Sequence, residues 1–310
     1  MNLVTVDPVL AREKFLKTPF TMKHGLADNP LFTLPRLVEL AKSLPRDRIE
    51  YNSGTVAVGA RPEDVSNIDM PAAEVIASIA TANAWMVIKF VNEDNDYREL
   101  LESFVEAANL AAGRPPGSYS DLQGFIFVSS ANATTPFHLD AEENILIQIS
   151  GDKFVRTFDN AGRALISEEA MEISPSKHRN QHYEEWYETR ATLHELKPGD
   201  ALHMPYMVPH WVSTGGGYSI SMAMTWKTPE VLRLNKIRLM NGTLRRFGLV
   251  QKPPGVSPLR DAAKVFAHDV FRAVVDPMRK SETMRRLLRG LIYGRKANYY
   301  YGTKPKRAGM

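Results

Sequence analysis

Between Gly124 and Trp226 the apolar residues leave helical spacing and adopt a period of two, and this change constrains the fold more than any other feature of the chain. Gly124–Ser129 (GFIFVS), Asn144–Ile149 (NILIQI), Lys153–Phe158 (KFVRTF), Thr192–Leu196, Ala201–Met204 and Tyr218–Trp226 read as short strands. Turn chemistry separates them, as at Ser150–Asp152 and Pro198–Gly199–Asp200. Asn144–Ile149 and Lys153–Phe158 read as the two arms of a hairpin. Many short strands joined by Gly/Pro turns predict a double-sheet jelly roll.

Helices flank this core. Pro35–Leu44 places Leu37, Leu40, Ala41 and Leu44 on one face and stops at Pro45. Pro71–Ala82 reads as a second helix with Asp69 as a possible N-cap, Trp85–Val91 as a buried strand, and Tyr97–Ala112 as a helix broken by Gly113–Gly117 (GRPPG). Charge divides the chain. Of 39 Lys/Arg, 20 lie from Lys227 onward, against 5 of the 35 Asp/Glu, a balance of +15 against −11 for Met1–Trp226. Two parts follow: a mainly β domain over 1–226 with N-terminal helices, and a basic helical C-terminal extension over 227–310. Within the extension, Asp261–Met278 carries Val265, Phe266, Val270, Val274 and Val275 on an apolar side, and Ser281–Ile292 opens on Ser281 as N-cap.

Cysteine is absent, which removes disulfides, thiolate zinc, iron–sulfur clusters and a thiol nucleophile; any metal must be held by His, Asp or Glu. The longest uncharged apolar stretch, Val75–Ile88, is too short to span a bilayer and contains Asn83, so no transmembrane segment is expected. The N-terminal residues lack a charged-then-apolar signal pattern, and a cytoplasmic protein is expected.

His138 and Asp140 are two apart in Thr135-Pro136-Phe137-His138-Leu139-Asp140. On an extended strand they share a face. His210, in the Pro205–Trp211 segment, is the best third ligand, placed in a loop before the Tyr218 strand. Two imidazoles and one carboxylate on one side of an ion leave positions open opposite, the facial arrangement of non-haem Fe(II) oxygenases. Thr135 and Lys153 suit the far carboxylate of a dicarboxylate chelating that metal. Asn144, Gln148 and Gly151 complete the set. Singly, each has a plainer reading: Lys153 as an exposed hairpin lysine, Thr135 as a turn residue, Asn144 as a polar strand end. All of those readings holding together beside H-x-D is the less economical account.

FHLDAEENILIQISGDK followed by PGDALHMPYMVPHWV resembles the JmjC/cupin-like hydroxylases, which are Fe(II)- and 2-oxoglutarate-dependent oxygenases with a double-stranded β-helix fold. The shared frame is T-x-x-H-x-D, N-x-x-x-Q-x-x-G-x-K and G-D-x-x-x-x-P-x-x-x-x-H-x-V, over Thr135–Val212. The match is closest to the small JmjC-only branch. The resemblance implies that His138, Asp140 and His210 bind iron, that Thr135 and Lys153 hold the distal carboxylate of 2-oxoglutarate, and that Asn144 lines the site. Gln148 and Gly151 match as framework. Several relatives place an Asn on the last strand; here Thr225 occupies that stretch. The implied activity is hydroxylation of a protein or peptide side chain, or of a small molecule, coupled to formation of succinate and CO2. The alternative is a catalytically silent cupin-like regulatory or binding protein whose basic tail contacts nucleic acid. In related enzymes a C-terminal helical segment mediates dimers, so a homodimer through the C-terminal helices is expected ahead of contact with nucleic acid or another anionic surface.

Phe125, Phe127, Phe137 and Trp226 are candidates for an aromatic wall, with ordinary core packing the simpler reading of Phe125 and Phe127. Glu168–Arg190 reads as a solvated lid; its His178/His182 pair lacks a third ligand, and Glu184, Glu185 and Glu188 read as a solvated acidic cluster. His203 reads as a core histidine or one that supports the metal ligands.

Overall fold

A computed structural model describes residues 3–61, 65–66, 68–175 and 180–278. The chain falls into two compact units, Met1–Leu232 and the residues from Arg233 onward. Two antiparallel sheets form the first. The larger has eight strands in the order β1 (Val4–Thr5), β2 (Phe20–His24), β10 (Asp200–Met204), β7 (Glu143–Ser150), β12 (Ser219–Lys227), β5 (Ser120–Ser129), β4 (Ala84–Lys89), β3 (Ile49–Ser53). The smaller has four: β6 (Thr134–His138), β11 (His210–Thr214), β8 (Lys153–Phe158), β9 (Ala191–Leu196). From β5 to β12 the chain passes back and forth between the sheets, which is a double-stranded β-helix, as the period-two pattern predicts.

The expected hairpin is not one. β7 and β8 follow each other through a turn at Gly151, yet β7 pairs with β10 and β12 while β8 pairs with β9 and β11. The turn is an arch from one sheet to the other. Its geometry explains the Gln148/Gly151 frame. Gly151 has φ +70°, and a Cβ there would lie 2.2 Å from the Tyr218 carbonyl oxygen. Gln148 is fully buried, and its Nε2 lies 2.7, 2.8 and 2.9 Å from Ser150 O, Gly151 O and Ser219 Oγ, with two N–H protons shared among the three acceptors. The amide staples the arch, and the glycine lets the arch close against the last strand.

Helices cover the outer face of the large sheet. α2 (Leu34–Ser43), α3 (Ala72–Ala77) and α4 (Asn95–Ala111) bring Leu37, Leu40, Ile76, Leu101 and Phe104 onto Met86, Ile126, Ile145, Ile147 and Met222. Each fully buried aliphatic side chain contributes roughly 1.5–3 kcal/mol. α4 starts at an Asp94 side-chain cap on Asp96 N, 3.0 Å away. α3 is shorter than expected: it ends at Ala77, its N-cap is Pro71 rather than Asp69, and a turn follows to Asn83 at φ +47°. A short helix α1 (Pro8–Lys14) and strands β1–β3 carry weak patterns that the sequence reading leaves unassigned.

The 159–190 segment is not a solvated lid. It runs through α5 (Glu168–Ile173), and its Tyr183 and Tyr187 pack with Phe137 and Phe158 at 5.5–6.4 Å between ring centres. Glu188 accepts from Tyr183 Oη and Trp211 Nε1 at 2.5 and 2.9 Å and pairs with Arg156, so it is bound into that layer. His178 lies outside the described residues; His182 is exposed and bonds Glu184.

The second unit is described to residue 278. α6 (Pro229–Arg246) crosses its boundary and α7 (Pro258–Met278) follows. Within it Lys236 pairs with Asp269 at 2.7 Å, and Asn241 Nδ2 donates to Lys252 O at 3.0 Å. Of the expected apolar side of α7, Val275 is buried, whereas Phe266 and Val270 are exposed. Ser281–Ile292 lies outside the described residues. No helix among the described residues is long and apolar enough to cross a membrane.

Candidate metal centre and anion pocket

The three predicted ligands meet. His138, Asp140 and His210 each present a ligand atom within 4.8 Å of the others. The two imidazole rings are 4.0 Å apart, and His210 Nε2 is 3.8 Å from Asp140 Oδ2. His210 is not in a loop: it is the first residue of β11 and pairs across to His138. One step along, Val212 pairs with Thr135, so β6 spends three residues where β11 spends two. That bulge lets Thr135 and His138, three apart, stand opposite two residues of one face. It is the physical content of the T-x-x-H spacing.

The ring orientations suit a metal. His138 Nδ1 bonds Pro136 O at 2.7 Å, and His210 Nδ1 bonds Val208 O at 3.0 Å. A carbonyl only accepts, so each ring donates from Nδ1, which leaves Nε2 as the nitrogen for the triad. Asn144 Nδ2 donates to Asp140 Oδ2 at 2.9 Å and orients the carboxylate. Its Oδ1 is buried without a hydrogen-bond partner, and so is Thr225 Oγ1, which faces Asn144 across the β7–β12 pair. A buried amide oxygen and an adjacent buried hydroxyl beside the triad suit a bound ligand or water. The residues fit a divalent ion.

Thr135 and Lys153 lie on the inward face of the small sheet. Lys153 is buried, not an exposed hairpin lysine. Its ammonium donates to Ser221 Oγ of β12 and lies 5.5 Å from the centre of the Phe127 ring. Among the described residues no carboxylate forms a salt bridge with it. Burial pulls its pKa from 10.5 down to about 7. Thr135 Oγ1 accepts from Trp85 Nε1 at 2.8 Å. The Trp85 and Phe127 rings are 5.9 Å apart. The pocket is thus a cation and hydroxyls against two aromatic rings, a suitable place for a carboxylate.

The aromatic expectations divide. Phe127 walls the pocket and Phe125 packs beside it in the inter-sheet cluster. Phe137 does not wall the site; it packs with Phe158, Tyr183 and Tyr187. Trp226 does not either, because strand parity turns it to the helix-covered face, where it stacks on Phe15 at 6.0 Å. His203 is a core histidine on that same face, 4.7 Å from the Phe15 ring, with its pKa pulled to about 3 by burial. Its Nε2 is 3.8 Å from Glu143 Oε2, and burial raises Glu143 to about 7.

Three residues escaped sequence reasoning. Trp85 and Ser221 reach the pocket from β4 and β12, and only strand parity could have flagged them. His194 stands opposite Val155 and bonds Thr157 Oγ1 at 3.0 Å; Thr157 in turn pairs with His210. Burial lowers the His194 pKa.

Fold and site together define a jelly roll with a two-histidine, one-carboxylate centre between its sheets. The family model for the cupin-like domain matches residues 37–230, well over half the chain, and the chain belongs to that family. Among solved structures, the X-ray structure of E. coli ycfD is 16% identical at a TM-score of 0.51, covering 93% of this chain and 72% of that one. YcfD, a ribosomal oxygenase from Escherichia coli, in complex with cobalt and 2-oxoglutarate is 16% identical at a TM-score of 0.49, over 89% and 68%. At such identity these likenesses bear on the fold alone. No curated protein matches the sequence.

Proposed function

We propose that the protein is an Fe(II)- and 2-oxoglutarate-dependent oxygenase, with 1–226 the catalytic part. The observation that carries this is the pairing of two sites between the same sheets: the His138–Asp140–His210 triad and the uncompensated Lys153 ammonium. A metal-binding cupin with isomerase chemistry would leave Lys153 without a purpose. When bound, iron and 2-oxoglutarate supply oxygen activation coupled to decarboxylation to succinate. The chain's own residues do the rest. His138, Asp140 and His210 would hold the metal from one side, leaving the other open. Asn144 orients Asp140. Lys153 and Thr135 would fix the far carboxylate, so the oxo-acid end is presented to the metal in one orientation. Phe127 and Trp85 exclude water from that end.

The substrate class we favour is a protein or peptide side chain, with a small molecule as the nearest variant. We further propose a homodimer through the C-terminal helices. The support is apolar surface: Leu259 is 87% exposed on α7 and Phe266 71%, with Val270 and Phe271 also exposed. Nucleic acid or another anionic surface is the competing partner for this basic part. Succinate formation from 2-oxoglutarate that requires Fe(II) and is abolished in His138→Ala tests the activity. Unchanged turnover in that variant removes the triad from the reaction, and none in the wild type favours the silent binding protein.

A further inference from the structure

We propose that Trp85 and Ser221 are cosubstrate-positioning residues, which suit the space beside Lys153 to a single carboxylate by leaving the hydroxyl protons of Thr135 and Ser221 free to donate. This rests on the 2-oxoglutarate reading above and adds to it two residues that no motif contains.

An indole N–H can only donate, and so can an ammonium; a hydroxyl has one proton and two lone pairs. Trp85 Nε1 donates to Thr135 Oγ1 at 2.8 Å. The Thr135 proton therefore cannot serve that bond and must go elsewhere. Lys153 Nζ donates to Ser221 Oγ, and while it is an ammonium the same logic releases the Ser221 proton. Two donating neighbours each occupy one lone pair of a hydroxyl and leave its proton free to donate.

Topology places these groups together. Ser221 pairs with Phe127 across β12–β5, and Trp85 pairs with Ser129, two residues along from Phe127, across β4–β5. Trp85, Phe127 and Ser221 thus share the inward face of the large sheet. Thr135 and Lys153 answer from the small sheet, on strands that flank β11. The result is two hydroxyl donors, an ammonium and two rings, with no carboxylate paired to the cation among the described residues. One cation balances one negative charge, and a carboxylate offers about four lone-pair sites to the converging donors. A phosphate dianion would exceed the charge present. Trp85 is also the one tryptophan of four on this face: Trp186 is exposed, Trp211 packs with the 159–190 layer and Trp226 lies under the helices.

The test uses the full chain loaded with Mn(II) without oxygen, titrated with 2-oxoglutarate and with 2-oxopentanoate, which has the same chain length but no distal carboxylate. Trp85→Phe keeps a ring and removes the N–H; Ser221→Ala removes one hydroxyl without touching the aromatic layer. Each is expected to weaken 2-oxoglutarate about five- to tenfold and to leave 2-oxopentanoate and Mn(II) affinities unchanged. Saturating 2-oxoglutarate should change the tryptophan emission of the wild type and of Ser221→Ala, but not of Trp85→Phe. Equal weakening of both acids, or wild-type preference for the diacid in both variants, overturns the assignment. A wild type that binds Mn(II) but neither acid overturns the cosubstrate reading itself.

Discussion

Under the proposed function, Lys153 makes the affinity for a diacid depend on pH. Burial lowers its pKa from 10.5 to about 7, so holding the ammonium uncompensated between the sheets costs about 5 kcal/mol relative to water. A carboxylate bound beside Ser221 returns the pKa towards its ordinary value. Binding must then take up a proton wherever free Lys153 is neutral, which is above pH 7. At pH 7 about half the free protein carries the charge, and at pH 8.5 about 3% does, so 2-oxoglutarate affinity should fall about fifteenfold over that interval. Below pH 6 the curve should be flat. Calorimetry of the Mn(II)-loaded protein in buffers of different ionisation heat reads both quantities, with about one proton taken up per diacid at pH 8.5 and almost none at pH 6. Lys153→Arg keeps its charge throughout and should abolish the slope. A wild-type affinity that changes less than twofold between pH 7 and 8.5, or no proton uptake at pH 8.5, would refute the reasoning.

Gly151→Ala should destabilise the jelly roll by about 3 kcal/mol or more, because the left-handed φ and the Tyr218 carbonyl both oppose a Cβ; thermal unfolding measures it, and a loss under 1 kcal/mol contradicts the arch. Thr225→Val removes a buried hydroxyl that has no partner, so the ligand-free protein should gain up to about 1 kcal/mol in denaturant unfolding. Asn144→Ala should weaken Mn(II) about tenfold by electron paramagnetic resonance titration, since Asp140 loses the amide that aims it. Glu143 is held up at about 7, so the folded state binds the extra proton between pH 4.5 and 7 and its stability contribution falls as pH rises through that window; Glu143→Gln should remove about 3 kcal/mol of that decline.

The meeting of His138, Asp140 and His210 was legible because metal ligation demands particular residue types at strand spacing, and the cupin-like frame was legible because a sheet-crossing arch needs Gln148 and Gly151 where they stand. The pairing of the strands was not. Asn144–Ile149 and Lys153–Phe158 have the length, alternation and intervening turn of a hairpin, and nothing local distinguishes a turn that folds back within a sheet from one that crosses to another. Trp226 failed as part of the aromatic wall for a related reason. Trp226 and Thr225 are neighbours, so parity sends one to the helices and the other to the site, and the face follows only once the register is known. Glu168–Arg190 looks polar in text, but Tyr183 and Tyr187 anchor it to Phe137, which a composition argument averages away.

The crossing that defeated the hairpin reading is also what builds the site. A hairpin would place Asn144 and Lys153 in one sheet, and the residues facing them would have to be found elsewhere. Because the chain changes sheets at Gly151, Asn144 and Lys153 come to face each other's layers: Asn144 reaches Asp140 at the chain's entry from β6, while Lys153 meets Ser221 and Phe127 of the opposite sheet. The His138–Asp140–His210 cluster and the proposed anion donors thereby lie between the same two sheets, where a low dielectric strengthens every charge interaction and makes an unpaired ammonium costly. The same burial that lowers the pKa of Lys153 makes a carboxylate its natural complement. A variant in which Lys153→Met fills that space should accordingly be more stable than the wild type below pH 7, with the advantage fading as pH rises from 7 towards 10.5 and the wild-type lysine loses its proton in the folded state. Thermal unfolding of the metal-free proteins across that range gives the sign directly, and a Met variant less stable than wild type at pH 6 would mean that the ammonium already has a partner.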